Sequence, residues 1–417
     1  MYLLKKFAGD RFDHINALLE QAGGVIGGSI NLIASCSYPF PEVLETLATP
    51  MMTLPTEGHK GRRYFPFSEF WDQLEGEAET VVRRLFNLGT KYSVSIQPHS
   101  GTQANQIVFE GLLSENRKVL ALKPDEGGHV SHSIGAGNDV HVSFYSIGRE
   151  GLLDYDEIHR QALAHQPGLI IAGTSSYPRA IDYSRLAEIA KDVGALLHAD
   201  ISHTALFVMT GTHPPVFPYA DSAAFNMMKN LRGPSGGVLI YRTDLRKRVE
   251  YAIFPKVQGG PHENDLLAKL LTFQLLEKSQ PSKLAKAIID NARELSYTLA
   301  SRGLQIVTNG TDSHLILVDL RRTKLTGRAA ENRLFQQRIL LNRNQIPGDD
   351  RPPWIASGIR MGTTCISILK YSAPDVRRLG NAIADIIEDP EATPIALEEL
   401  LHRYQSDLVS SASVEKG

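Results

Sequence analysis

Along most of the chain, apolar and polar positions follow two rhythms. Short apolar runs at Val119 to Leu122, Leu169 to Ala172, Ala195 to His198 and Leu239 to Tyr241 read as buried strands. Amphipathic stretches such as Tyr183 to Val193 lie between them. From about Leu74 this alternation predicts an α/β fold, a mostly parallel central sheet flanked by helices. Upstream, Phe12, Ile15, Leu18 and Leu19 fall at helical spacing and predict a helix over Asp10 to Gln21. Residues Val25 to Phe67 are rich in Gly, Pro and Thr and read as an extended arm. After about Pro281 the rhythm changes. A helix to about Ser301, the strand-like His314 to Leu320, a helix from about Arg328 and a last helix from about Pro374 outline a smaller α+β domain. The tail beyond about Arg403 is polar and reads as frayed. The expected division is an N-terminal helix and arm over 1–70, a large α/β domain over 71–280 and a small C-terminal domain over 281–417.

Composition narrows the function classes. A chain of 417 residues with 42% apolar and 22% charged residues has the make-up of an ordinary globular protein. A net charge of −2 gives no electrostatic footprint for nucleic acid or an anionic membrane, and neither partner is expected. The opening MYLLKKFAGDRFD turns polar too soon for a signal peptide, and no later run is long enough to span a bilayer, so a cytoplasmic location is expected. Cys36 and Cys365 stand far apart, without metal-like spacing, and neither a disulfide framework nor a metal site is expected.

Three segments carry candidate chemistry. In QPHSGTQAN (Gln97 to Asn105) a strand ends and a helix starts just after Gly101, with Ala104, Ile107, Val108 and Leu112 as its apolar face. Ser100, Gly101 and Thr102 offer free N–H groups, hydroxyls and a helix dipole that suit a phosphate; an ordinary N-cap would use the same residues. In HADISHTA (His198 to Ala205), Asp200 lies at the carboxyl end of an apolar strand, where ligands of open α/β sheets bind. A carboxylate there could pair with a protonated ring nitrogen, cap a helix or join an ion pair. In NMMKNLRGPSGG (Asn226 to Gly237), Lys229 is flanked by Met227, Met228 and Leu231. Apolar surroundings disfavour the charged amine and make it nucleophilic, as a Schiff-base lysine requires. A phosphate-type loop, an Asp at one strand end and a Lys at the next form the parts of a pyridoxal 5′-phosphate (PLP) site.

These segments, with GGHVSH, AGTSSYPRAIDY, FPKVQGGP, GTDSHL and SGIRMGT, and with NLIAS and TEGHKGRRYF in the arm, resemble in order and spacing the motifs of serine hydroxymethyltransferases, from about Asn31 to about Ile386. The resemblance implies PLP-dependent transferase fold type I and a homodimer with shared active sites. It implies that Lys229 carries the cofactor as a Schiff base, Asp200 holds the ring nitrogen protonated and His129 stacks on the ring. Ser100, Gly101 and Thr102 would grip the phosphate, and Gly259 and Gly260 would reach the phosphate of the neighbouring subunit. Ser175 and His203 would lie near the ring oxygen and substrate. Arg360 would bind the carboxylate of a small amino acid, aided by Ser35, because a planar guanidinium grips a carboxylate through two parallel bonds. Glu57, delivered by the partner's arm, would be the acid–base group.

The chain departs from the family pattern on its substrate and folate side. Pro55 and His59 stand where the arm usually has tyrosines, Lys60 replaces a proline, and Phe65 replaces the last tyrosine. Met228 replaces a histidine, Asn226 a threonine and Cys36 a glutamate, while Pro124 and Asp125 alter the stretch before Gly127; NRNQIP (Asn342 to Pro347) keeps the family's look. These changes predict a retained PLP machine with an altered substrate or acceptor. The expected reaction is aldol-type: Cα–Cβ cleavage, or hydroxymethyl or aldehyde transfer among Gly, Ser or Thr, with tetrahydrofolate use left open. A PLP transaminase, decarboxylase or lyase, and a non-catalytic interaction protein keeping the fold, remain alternatives at this point.

Overall fold

In the computed structural model, residues 7, 9–114, 116–133, 135, 137, 139–148 and 150–411 are described. The chain forms two compact units, one of residues 42–286, the other of 1–41 with 287–417. The expected segment 1–70 is thus divided between them.

The unit of residues 42–286 is built on seven strands: β1 (Tyr92–Ser95), β2 (Lys118–Leu122), β3 (His141–Tyr145), β4 (Leu169–Gly173), β5 (Leu196–Asp200), β6 (Ser222–Asn226) and β7 (Gly237–Arg242). Their order is β1-β7-β6-β5-β4-β2-β3. Pairs from β6 through β3 are parallel, while β7 runs antiparallel to both β6 and β1. The short connection from Asn226 to Gly237 explains the reversal, since a parallel return needs a crossover of a dozen or more residues. β4 is buried along its whole length, which is why it reads as an uninterrupted apolar run. Helices Gly101–Leu112, Tyr155–His165 and Tyr183–Asp192 lie between strands. In the first of these, Ala104, Ile107, Val108 and Leu112 are buried as their spacing predicts. Consecutive strands with one direction place their carboxyl ends along one edge, and the loops there carry the candidate residues.

The other unit holds an antiparallel sheet of β8 (Gln305–Ile306), β9 (Leu315–Asp319), β10 (Asn342–Asn344) and β11 (Gly358–Gly362), ordered β8-β9-β11-β10. Its core includes Leu295, Ile316, Val318, Ile359, Met361 and Ile383.

Three expectations need correction. The first helix, Asp13–Gly28, runs well past Gln21 and follows a single 3₁₀ turn at Asp10–Phe12. The stretch 25–67 is not a simple extended arm. Ile30–Asn31 pairs with Ile339–Leu340, Pro41–Leu47 is a helix with proline in its first turn, and Gly58–His59 pairs with Arg62–Arg63 as a hairpin. The tail does not fray at Arg403, and Pro374 does not begin the last helix. After Ala373–Glu388 comes a further helix, Ile395–Ser411, whose Leu397, Leu400, Tyr404 and Leu408 are buried at helical spacing. Tyr404 bonds Tyr38 and takes the Asn31 N–H at 3.0 Å. Residues 412–417 of that tail, and 1–6 and 8 of the opening segment, lie outside the described residues. Among the described residues no helix is long and apolar enough to cross a membrane.

Candidate active site

Asp200 ends β5 with its side chain buried. Its Oδ2 accepts from His132 Nε2 at 2.9 Å and Asn105 Nδ2 at 2.8 Å, and its Oδ1 accepts from the Ser202 N–H at 3.0 Å. Burial alone would raise the carboxyl pKa, but the bond and charge of His132, the charge of Lys229 and a hydrogen bond from the Ser202 side chain together hold it well below the usual range. Asp200 is therefore an ionised carboxylate whose oxygens accept from His132, Asn105 and Ser202.

Asn105 joins this carboxylate to a wider network. Because its Nδ2 faces Asp200, its Oδ1 must face His198, whose Nε2 then donates at 2.9 Å. Burial pulls the His198 pKa down to about 4, so the ring is neutral, and Nδ1 accepts from Ser222 Oγ at 2.8 Å. Asn105 Nδ2 also donates to Ser131 Oγ at 2.9 Å, and the Ser131 hydroxyl lies 2.7 Å from His129 Nδ1. That nitrogen accepts the Ser131 backbone N–H at 3.1 Å, which puts the neutral ring's proton on Nε2. His129, Ser131, Asn105 and Asp200 are thus one chain of hydrogen bonds. Sequence reasoning missed Asn105, His132 and His198. The available signal was an amide on the otherwise apolar face of helix Gly101–Leu112.

Ser100 is the N-cap of that helix, its Oγ accepting the Gln103 N–H at 3.0 Å, while Gly101 is buried and Thr102 exposed. A Cβ on Gly101 would lie 3.3 Å from Ser202 Oγ and 3.5 Å from Asn226 Cβ, so the turn abuts the loops after β5 and β6. Lys229 follows β6 by three residues and is half-buried, and its charge acts on Asp200. Of its expected apolar flank, Met227 and Leu231 are buried, but Met228 is 42% exposed and forms no wall. The reason is local: the Asn226 side chain accepts the Met228 N–H at 3.0 Å and turns the chain outward there. Ser175 follows β4, its N–H bonded to Gly127 O at 2.8 Å, and His203 is buried after β5 with Asn230 Nδ2 on its carbonyl at 2.6 Å.

The arm hairpin is fastened at its base. The Arg63 side chain is buried and bonds Asp72 and Glu75 at 2.8 Å each and Gly58 O at 3.0 Å. His59 donates to Glu250 O at 2.8 Å, and Lys60 pairs with Glu79 at 3.6 Å. These anchors set Glu57 against a glycine pair: a Cβ on Gly259 would lie 3.6 Å from Glu57 Oε1, and one on Gly260 3.6 Å from Glu57 Cγ. Gly260 O also accepts from His99 Nε2 at 3.0 Å.

In the unit of residues 1–41 and 287–417, Arg360 sits in the middle of β11, opposite Leu317 and Asn342. Burial pulls its pKa down to about 10, with the Cys36 charge acting the other way, and its Nε donates to Asn342 Oδ1 at 3.2 Å. Cys36, whose thiol pKa is raised by burial, is hydrogen-bonded to Asn31 and Ser35. The unit therefore gathers Ser35, Cys36 and Arg360. Among the described residues no cluster of three or more His, Cys, Asp or Glu could hold a metal.

The family model for serine hydroxymethyltransferase matches residues 13–383. The chain belongs to the serine hydroxymethyltransferase family. Serine hydroxymethyltransferase of Paracidovorax citrulli (strain AAC00-1) is 37% identical over 407 residues, 94% of this chain and 98% of the relative. That of Rickettsia akari (strain Hartford) is 41% identical over 366 residues, 86% of each chain. That of Polynucleobacter necessarius subsp. necessarius (strain STIR1) is 36% identical over 364 residues, 87% of each. Membership makes this a PLP-dependent transferase of fold type I, and the mixed α/β unit with its mostly parallel sheet agrees. The residues present fit the cofactor. Asp200 is an ionised carboxylate at a strand end, the charge that suits a ring N–H, Lys229 stands close enough for its charge to act on Asp200, and the Ser100 turn offers a helix N-terminus for a phosphate.

Proposed function

We propose that this chain breaks the Cα–Cβ bond of serine and passes the one-carbon unit to tetrahydrofolate, leaving glycine. The observation that carries this reading is Asp200, ionised at a strand end within reach of the Lys229 charge, in a chain matched by the family model over 13–383. PLP, when bound, supplies an electron-poor ring that takes up electrons released at Cα. Lys229 would hold it covalently and Asp200 would accept the ring N–H. His129, with its Nδ1 committed to Ser131, would present a neutral ring to stack on it. Ser100, Gly101 and Thr102 would hold the phosphate, and Ser175 and His203 would lie beside the ring oxygen and substrate. Arg360 would grip the serine carboxylate with help from Ser35, and Glu57 would move the proton of the serine hydroxyl.

A cytoplasmic homodimer completes the proposal. Helix Asp13–Gly28 has no buried residue and exposes Ile15, Leu18 and Ile26, while the arm exposes Tyr64 and Phe67, and exposed apolar surface of this kind is where protein partners bind. Glu57 of the arm and the Gly259–Gly260 pair it packs against would be delivered as a set to the neighbouring subunit. Serine with and without tetrahydrofolate, followed by mass spectrometry of the products, tests the reaction. Glycine is expected, and its rate of formation should rise with tetrahydrofolate. Decarboxylated or deaminated serine instead of glycine would favour the other PLP reactions. Lys229→Ala should lose the visible absorbance of bound cofactor, whereas a chain without that absorbance in its unaltered form would support the non-catalytic alternative.

A further inference from the structure

Lys269, on helix Glu263–Lys278, is 1% exposed and has no role in the chemistry above. Its ammonium spends all three protons on backbone carbonyls: Ile96 O at 2.6 Å, Pro98 O at 2.9 Å and Gly237 O at 3.1 Å. Among the described residues no carboxylate is within ion-pair distance of it, although the charges of Asp265 and Glu75 act on it. Burying a cation is expensive, and an apolar side chain often stabilises an interior as well, so the charge calls for a reason other than packing.

The carbonyls it holds supply one. Ile96 and Pro98 lead directly into the Ser100–Thr102 turn, and Pro98 O also accepts the Gly237 N–H at 2.9 Å. Gly237 in turn lies flat on that turn, since a Cβ there would come within 2.3 Å of Ser100 O. Gly236, at φ +133°, passes over the lysine so closely that a Cβ would meet its Cε at 2.2 Å. The lysine, the segment before the turn and the start of β7 form a single knot. We propose that Lys269 is a positioning residue for the cofactor phosphate, pinning the backbone that shapes the Ser100–Thr102 turn and placing a positive charge beneath it. Burial pulls the amine's pKa down to about 8, while the three carbonyl acceptors favour the protonated form.

The inference rests on the PLP reading of the site, and PLP and pyridoxal, which lacks the phosphate, separate the two. Dissociation constants are measured by equilibrium dialysis and visible absorbance for the unaltered chain, Lys269→Met and Lys269→Gln. The expected result is PLP affinity at least tenfold weaker in Lys269→Met, with pyridoxal affinity within twofold of the unaltered chain. Lys269→Gln, which keeps two N–H donors but no charge, should fall between and carries the same comparison if the methionine chain does not fold. Equal losses for both ligands, or no loss for either, overturn the role of Lys269. An unaltered chain that binds no PLP overturns the cofactor reading itself.

Discussion

Replacing Asn105 by leucine removes three buried hydrogen bonds while keeping a side chain of similar size. The amide donates to Asp200 at 2.8 Å and to Ser131 at 2.9 Å, and accepts from His198 at 2.9 Å. A bond to an ionised acceptor contributes ~1.5–3 kcal/mol, and a buried N–H left without a partner costs a further ~1–3 kcal/mol. Ser131 keeps its contact with His129, so its share is small. The expected loss is therefore ~3–5 kcal/mol. Urea unfolding of the cofactor-free chain, followed by tryptophan fluorescence, measures it; Trp71 is buried in the same unit. Combining the change with His198→Phe makes the test sharper. With no imidazole N–H to satisfy, the leucine should cost ~1–3 kcal/mol less than it does alone. A loss below ~1 kcal/mol, or strict additivity of the two changes, would refute the assignment of Asn105 as the hub.

Arg360→Ala should remove about 3 kcal/mol of carboxylate binding, roughly a hundredfold in KM for serine, with PLP affinity unchanged; equal losses of both would contradict its role. Asn342→Ala, which frees the Arg360 Nε held at 3.2 Å, should raise the same KM by roughly threefold to tenfold with kcat preserved, read from steady-state kinetics. His198 adds a pH dependence. Its pKa of about 4 when folded lies below ~6.5 when unfolded, so between those values the unfolded chain binds the extra proton and stability is lost as pH falls. From pH 7 to pH 5 this term is about 2 kcal/mol. The unaltered chain should lose that much more than His198→Asn in urea unfolding at the two pH values, and parallel losses would count against the neutral buried ring.

What the sequence revealed depended on how local each signal was. The placement of Asp200 and Lys229 on one edge was legible because Asp200 ends an apolar strand, Lys229 follows the end of the next, and strand ends of one direction share an edge. The partners that make Asp200 a carboxylate were not legible, because Asn105 and His132 lie 95 and 68 residues upstream and meet it only through the sheet order. The terminal helix was hidden differently: its apolar positions keep helical spacing, but polar residues fill the gaps between them and the polar end beyond Arg403 masks the pattern. Met228 misled because apolar character says nothing about direction, and the Asn226 turn points it outward.

The same limit bears on the departures from the family pattern. A changed residue in a motif shows that a contact has changed, not where its replacement points. His59 and Lys60 were expected to alter the substrate side, yet each has a partner in its own unit, Glu250 O and Glu79, and both fasten the hairpin that carries Glu57. On the arm, an altered acceptor therefore rests on Pro55 and Phe65 alone, the two positions where a tyrosine hydroxyl is lost and nothing polar replaces it. Pro55 and Phe65 are both exposed, so restoring tyrosine there leaves the hairpin's anchors intact, and it is this change, rather than one at His59, that should move KM for the substrate or acceptor.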